Sequence, residues 1–161
     1  MKHLLQILSV CVLVSMATTA YAQMSYTTKG GNALMPNVLS TVDLPDGNML
    51  VHAMSSGFSW TNEDNVVGGN GSLECSGFST VSPDGVQLDG SGTCEGLDTD
   101  GDVWRLWWSG GTEGEFGFTG GSGKYAGING GGTWKLQSQF ADGKAMNDWD
   151  GTWTIPDHMM E

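Results

Sequence analysis

Positive charge is scarce in this chain: six Lys plus Arg stand against eighteen Asp plus Glu, a formal charge of −12 over 161 residues. No basic stripe exists to neutralise phosphates, which argues against nucleic-acid binding, and an anionic membrane surface would repel the chain. Long apolar runs are also rare. The longest, Leu4 to Met16, is about 13 residues, short of the roughly 20 that a membrane-crossing helix needs, so no membrane insertion is expected. No segment places apolar residues at helical spacing over three turns, which argues against an α-helical fold. No Gly-x-Ser-x-Gly elbow sits between a strand and a helix, so a hydrolase finds no support. The Gly120 to Gly123 run lacks Walker spacing and a following helix, and reads as a tight corner between strands rather than a phosphate cradle.

The start of the chain has the form of an export leader. Met1-Lys2-His3 supplies positive charge, the apolar run follows, and Ala20-Tyr21-Ala22 before Gln23 fits the small-x-small rule for signal peptidase. Residues 1–22 are therefore expected to be a signal peptide. Cys11 leaves with it, because Val10 is too large for a lipoprotein cleavage site. The destination is periplasmic or extracellular. In an oxidising compartment the remaining pair, Cys75 and Cys94, is expected to form a disulfide.

Glycine is plentiful, with 26 residues, and it punctuates the mature chain at seven places. These are Asp46-Gly47, Gly68 to Asn70, Asp84-Gly85, Asp100-Gly101, Gly110-Gly111, the Gly120 to Gly131 stretch, and Asp142-Gly143. Asp-Gly suits the positive φ of hairpin turns, so seven turns imply eight antiparallel strands. Between the turns the period is two. Val86, Leu88, Gly90, Gly92, Cys94 and Gly96 share one face, opposed by Gln87, Asp89, Ser91, Thr93 and Glu95. Gly130, Gly132, Trp134 and Leu136 oppose Thr133, Lys135, Gln137 and Gln139. Trp149, Gly151, Trp153 and Ile155 oppose Asp148, Asp150, Thr152 and Thr154.

A two-residue turn at Asp84-Gly85 would bring Cys75 directly opposite Cys94, both on inward faces. A Pro83-Asp84 turn with Gly85 as a bulge would shift the register by one, so the cysteines favour the tighter turn. Eight strands with one apolar face can close into an up-and-down β-barrel or fold into a β-sandwich, and the barrel is preferred because closure removes the edges. The single barrel domain is expected over residues 37–155, with residues 23–36 a poorly ordered arm and residues 156–161 a tail. The stretch from Phe58 to Gly71 reads as an overhand loop or a lid.

The run from Gly120 through Lys124-Tyr125-Ala126-Gly127 to Thr133-Trp134 resembles a glycine-rich hairpin of a family of small exported bacterial proteins. Cys94, the Asp98 to Asp102 turn and the Trp-bearing strand after it add to the likeness, which spans residues 71–155. The resemblance implies a small closed barrel similar to the allene oxide cyclase and dirigent barrels, calycin-like in shape. It carries over no catalytic residues, and shape alone does not assign an activity.

Seven tryptophans are many for a chain of this size. Trp104, Trp108, Trp134, Trp149 and Trp153 read as inward, where they either fill the core or line a ligand cavity opposite bare glycines. Trp104, Trp108, Trp134 and Trp153 are the expected ligand wall. Trp107 alternates with its neighbours and should point outward, where it could stack on a sugar; Trp60 could belong to either surface. Asp98, Asp100 and Asp102 alternate as calcium ligands do, but Val103 and Ser109 stand where an EF-hand-like count needs Gly and Glu, so a solvated turn is preferred. Catalysis has only His52, on a strand whose inward face is ambiguous; His158 falls in the tail. The expected function is binding of a small apolar or aromatic molecule without catalysis or a cofactor, or a structural envelope role. Alternatives are a calcium- or glycan-binding module and a cyclase or isomerase working in an apolar cavity. The oligomeric state is left open.

Overall fold

The computed structural model describes residues 23–63 and 67–157. The expected signal peptide and residues 158–161 of the expected tail lie outside the described residues, while Pro156, expected in the tail, ends the last strand and pairs with Gln23. Eight strands follow in order: β1 (Gln23–Asp43), β2 (Met49–Thr61), β3 (Gly71–Val81), β4 (Gln87–Leu97), β5 (Val103–Gly110), β6 (Glu113–Gly121), β7 (Asn129–Gln139) and β8 (Ala145–Pro156). Each pairs antiparallel with the next, and β1 pairs with β8, so the sheet is a closed barrel without a free edge. The sandwich alternative is set aside. A single 3-10 turn, Gly123–Tyr125, is the other regular element among the described residues. No described helix is long and apolar enough to cross a membrane.

All seven connections fall at the glycine-bearing turns. Four of them share one geometry, at Leu44–Asn48, Ser82–Val86, Asp98–Asp102 and Phe140–Lys144. In each, the first residue's N–H donates to the carbonyl of the fifth, and the fourth residue's N–H donates to the carbonyl of the first. The fourth residue is always glycine, with φ between 81° and 90° at Gly47, Gly85, Gly101 and Gly143. These are three-residue hairpin loops in which glycine supplies the left-handed bulge.

The Asp84-Gly85 hairpin therefore has the longer turn, not the two-residue one. Cys75 still faces Cys94, because a second irregularity between Thr80 and Val81 restores the register, and the two form a disulfide. That compensation turns the rim inside out. Gln87 faces the interior, while Leu88, expected inward, is 51% exposed. A shift between Leu136 and Ser138 likewise brings Gln139, expected outward, to the interior.

The expected arm over residues 23–36 is instead the first half of β1. From Gln23 to Leu34 it pairs with β8, and from Gly30 to Asp43 with β2, so it closes the barrel. Its alternation is hard to see because Thr28, Gly30 and Asn32 occupy inward positions. Gly30 is bare for a reason: a Cβ there would lie 2.3 Å from Trp149 Cζ2. Phe58 to Thr61 likewise belongs to β2 and not to a loop.

The two ends of the barrel differ. The fully buried residues, including Trp104, Tyr125, Ile128, Trp153 and Ile155, gather where β1 starts and β8 ends. The 3-10 segment and Val67 to Gly69 tuck into that end, Trp153 Nε1 donating to the Val67 carbonyl at 2.9 Å. The opposite end carries the β1–β2, β3–β4, β5–β6 and β7–β8 turns.

Constraint of the 19-residue separation between the cysteines is worth about 3 kcal/mol through the unfolded chain. The double variant Cys75→Ala/Cys94→Ala is expected to lose about that much in urea unfolding. A loss below about 1 kcal/mol would show that the bridge contributes little.

Candidate functional site

A cavity of about 420 Å³ occupies the barrel and reaches Gly85, Gly111 and Gly143 in the turns of the second end. Its position follows from how the indoles pack. Glycine in a strand costs about 1 kcal/mol relative to alanine, whereas burying about 200 Å² of indole contributes about 5 kcal/mol. Trading a side chain for a bare backbone under an indole is therefore favourable. Trp104 lies on Gly96, where a Cβ would sit 2.1 Å from the ring, and Trp108 lies on Gly77 and Gly92.

Stacked this way, the aromatics form a continuous floor. Trp104 meets Phe118 edge-on at 6.0 Å, Phe118 meets Trp153 at 5.5 Å, and Trp153 meets Trp149 at 6.1 Å. Phe116 joins the cluster through Trp149 and Phe118. Nearer the opening, Trp108 and Trp134 form a separate edge-to-face pair at 6.4 Å, with Trp134 Nε1 donating to the Ser109 carbonyl. All four expected wall residues thus line the cavity, but in two tiers. Trp104 and Trp153, 2% and 1% exposed, are floor, whereas Trp108 and Trp134 are half-buried.

Alternation alone reveals only part of the polar lining. Asn32, Asn147, Ser55, Ser59, Gln87 and Gln139 face the cavity among its apolar groups. Asn147 could have been found by stepping two residues back from Trp149. Asn32 is hidden in the expected arm, and the glutamines are hidden by the rim irregularities. Among the described residues, no lining side chain is ionisable.

His52 stands apart from the cavity. Val51 and Ala53 point inward, and His52 stacks on Phe78 with ring centroids 4.4 Å apart on the outer wall. It reaches no substrate in the barrel. Trp107 is outward as expected, 40% exposed and lying over Gly117.

The Asp98, Asp100 and Asp102 turn is organised around a lysine and not around an open cation position. Lys124 Nζ lies 2.6 Å from Asp98 Oδ2, pairs with Asp100, and is 4.0 Å from Asp102 Oδ2. Tyr125 donates its hydroxyl to Asp98 Oδ2 at 2.9 Å. No group of three or more His, Cys, Asp or Glu is arranged to hold a metal among the described residues. Burial pushes the Asp98 carboxyl up, but hydrogen bonds from Lys124, Tyr125 and the N–H groups of Asp100 and Asp102 outweigh it and hold the group below the ordinary carboxylate range. Burial, then the Asp98 contact, raises the Tyr125 phenol far above its usual value, so it serves as a donor. The cluster staples the 3-10 segment beneath the floor.

No family model matches the sequence, and no curated protein matches it in sequence. In fold it is similar to solved dirigent proteins. The pterocarpan synthase dirigent protein GePTS1 superposes with a TM-score of 0.54 at 12% identity, over 85% of this chain and 93% of that one. The pterocarpan synthase dirigent protein PsPTS1 gives 0.51 at 13% identity, over 82% and 97%. The barrel fold therefore resembles the dirigent barrel, and the likeness extends to shape alone.

Two substitutions test the packing and the staple. Gly96→Ala is expected to lower stability by about 2 kcal/mol in denaturant unfolding, since Trp104 has no room to yield; a neutral result would contradict the stacking. Lys124→Met leaves the Asp98 carboxylate, 7% exposed, without its cation, an expected loss of about 3 kcal/mol. The sign with pH follows from the lowered folded-state value: the Asp98 contribution is complete above the ordinary carboxylate range and lost as pH falls through the folded value. Acid unfolding of Lys124→Met should begin at higher pH than that of the parent, and coincident acid transitions would remove the role assigned to the pair.

Proposed function

We propose that this protein is an exported binding barrel that takes a small apolar or aromatic molecule into its open end without transforming it. The observation that carries the reading is the cavity itself: about 420 Å³, walled by Trp, Phe, Leu and Val, with no ionisable lining group among the described residues. Aromatic walls with a few neutral polar groups are what a small apolar ligand needs. General acid or base chemistry would call for a titratable group within hydrogen-bond reach of a bound molecule, and His52 on the outer wall does not supply it. Export rests on the leader expected over residues 1–22 and is consistent with the Cys75–Cys94 bridge. The glycan alternative has two outer indoles in its favour, Trp107 over Gly117 and Trp60 over Gly31, but they stand on separate strands, and a single stacking face offers a ligand less surface than the enclosed wall.

The test uses the neutral probe N-phenyl-1-naphthylamine, followed by its fluorescence and by native mass spectrometry. Saturable binding of about one probe per chain is expected, and Trp108→Ala should weaken it about tenfold through loss of an enclosed aromatic contact. A chain that shows no saturable binding of the probe, and a bare native mass on purification, would overturn the reading.

A further inference from the structure

The arrangement of the neutral polar groups narrows the ligand. Asn32 on β1 and Asn147 on β8 are direct register partners, and Ser59 on β2 is the partner of Asn32 on its other side. All three face the cavity, so one wall carries two carboxamides and a hydroxyl at a single level. β5 lies four strands from β1 in either direction around the barrel, and it presents Trp104, Leu106 and Trp108. Across the bore, a hydrogen-bonding wall therefore faces an aromatic one.

We propose that the cavity selects an uncharged ring compound bearing a hydrogen-bonding head group, such as a hydroxyl or a carboxamide, and rejects the ionised form of the same skeleton. The proposal rests on the binding reading above and adds the charge state and polarity of the ligand. Carboxamides donate and accept, so they match a head group that does either or both. They offer no formal charge. An anion entering this cavity would leave water without meeting a cation, a transfer far costlier than that of a neutral polar group. None of the described cations lines the cavity: Lys29, Arg105 and Lys144 pair with Asp150, Glu95 and Asp142, Lys124 is held by the Asp98 cluster, and Lys135 alternates with the inward Trp134 and Leu136. The formal charge of −12 also disfavours approach of an anion.

The deciding experiment uses the whole mature chain and two compounds of nearly equal shape, 2-naphthamide and 2-naphthoate, each competing with N-phenyl-1-naphthylamine. At neutral pH the amide is expected to bind at least about a hundredfold more tightly than the carboxylate. Between about pH 5 and 7 the apparent affinity of the naphthoate should fall about tenfold per pH unit as its neutral fraction declines, while that of the amide stays flat. Asn32→Leu/Asn147→Leu should weaken the amide about tenfold more than it changes binding of the probe, with circular dichroism and a thermal transition like the parent's reporting an intact barrel. Comparable affinities for amide and carboxylate, or a naphthoate affinity indifferent to pH, would overturn the proposal while leaving the binding reading intact. If the probe itself does not bind, the binding reading fails and takes this proposal with it. Should the double variant not fold, the comparison of the two compounds on the parent chain still decides.

Discussion

A closed eight-stranded barrel has room for little more than one layer of large side chains across its axis, and indoles can occupy that layer here only because the backbone beneath them is bare. Trp104 on Gly96, Trp149 on Gly30 and Trp108 on Gly77 and Gly92 repeat the same exchange. It explains why strands otherwise poor in propensity hold together, since burial of each indole outweighs the glycine penalty. It also sets the shape of the interior. Where the rings pack in two directions they become a floor, and where only Trp108 and Trp134 remain, space is left.

The floor end is reinforced by a different force. Asp98, Lys124 and Tyr125 join the β4–β5 turn to the segment after β6 through charge-assisted hydrogen bonds that are mostly out of water. Val67 to Gly69 add a second tether through Trp153. Within the floor, the indole N–H groups of Trp104 and Trp149 have no partner among the described residues.

Much of this was legible in the sequence because turns and period-two alternation are local signals. The Asp-Gly pairs marked the hairpins, the cysteine spacing marked one register, and the placement of Trp134, Trp149 and Trp153 followed from alternation alone. What was not legible depended on partners distant in the chain. Gly30 looks like a loop residue until Trp149, more than a hundred positions away, is placed against it, and Thr28 until it is paired with Gly151. Gln87 and Leu88 exchange faces because an irregularity near a turn is invisible to strict alternation. The Asp98 cluster resembled a cation loop because its counter-charge, Lys124, arrives from another hairpin.

The open end is bounded only by minimal turns: three of the bulged hairpins and the Gly111-Thr112 corner between β5 and β6. Among the described residues no segment spans the opening, and a guest held as proposed above would meet no gate from them. Its lifetime inside is then set by affinity alone. With an unhindered association rate of about 10⁶ M⁻¹s⁻¹, a guest held at micromolar strength would depart in about a second. If the proposed binding holds, the filled fraction would rise and fall with the free concentration of the guest, the behaviour of a shuttle more than of a store.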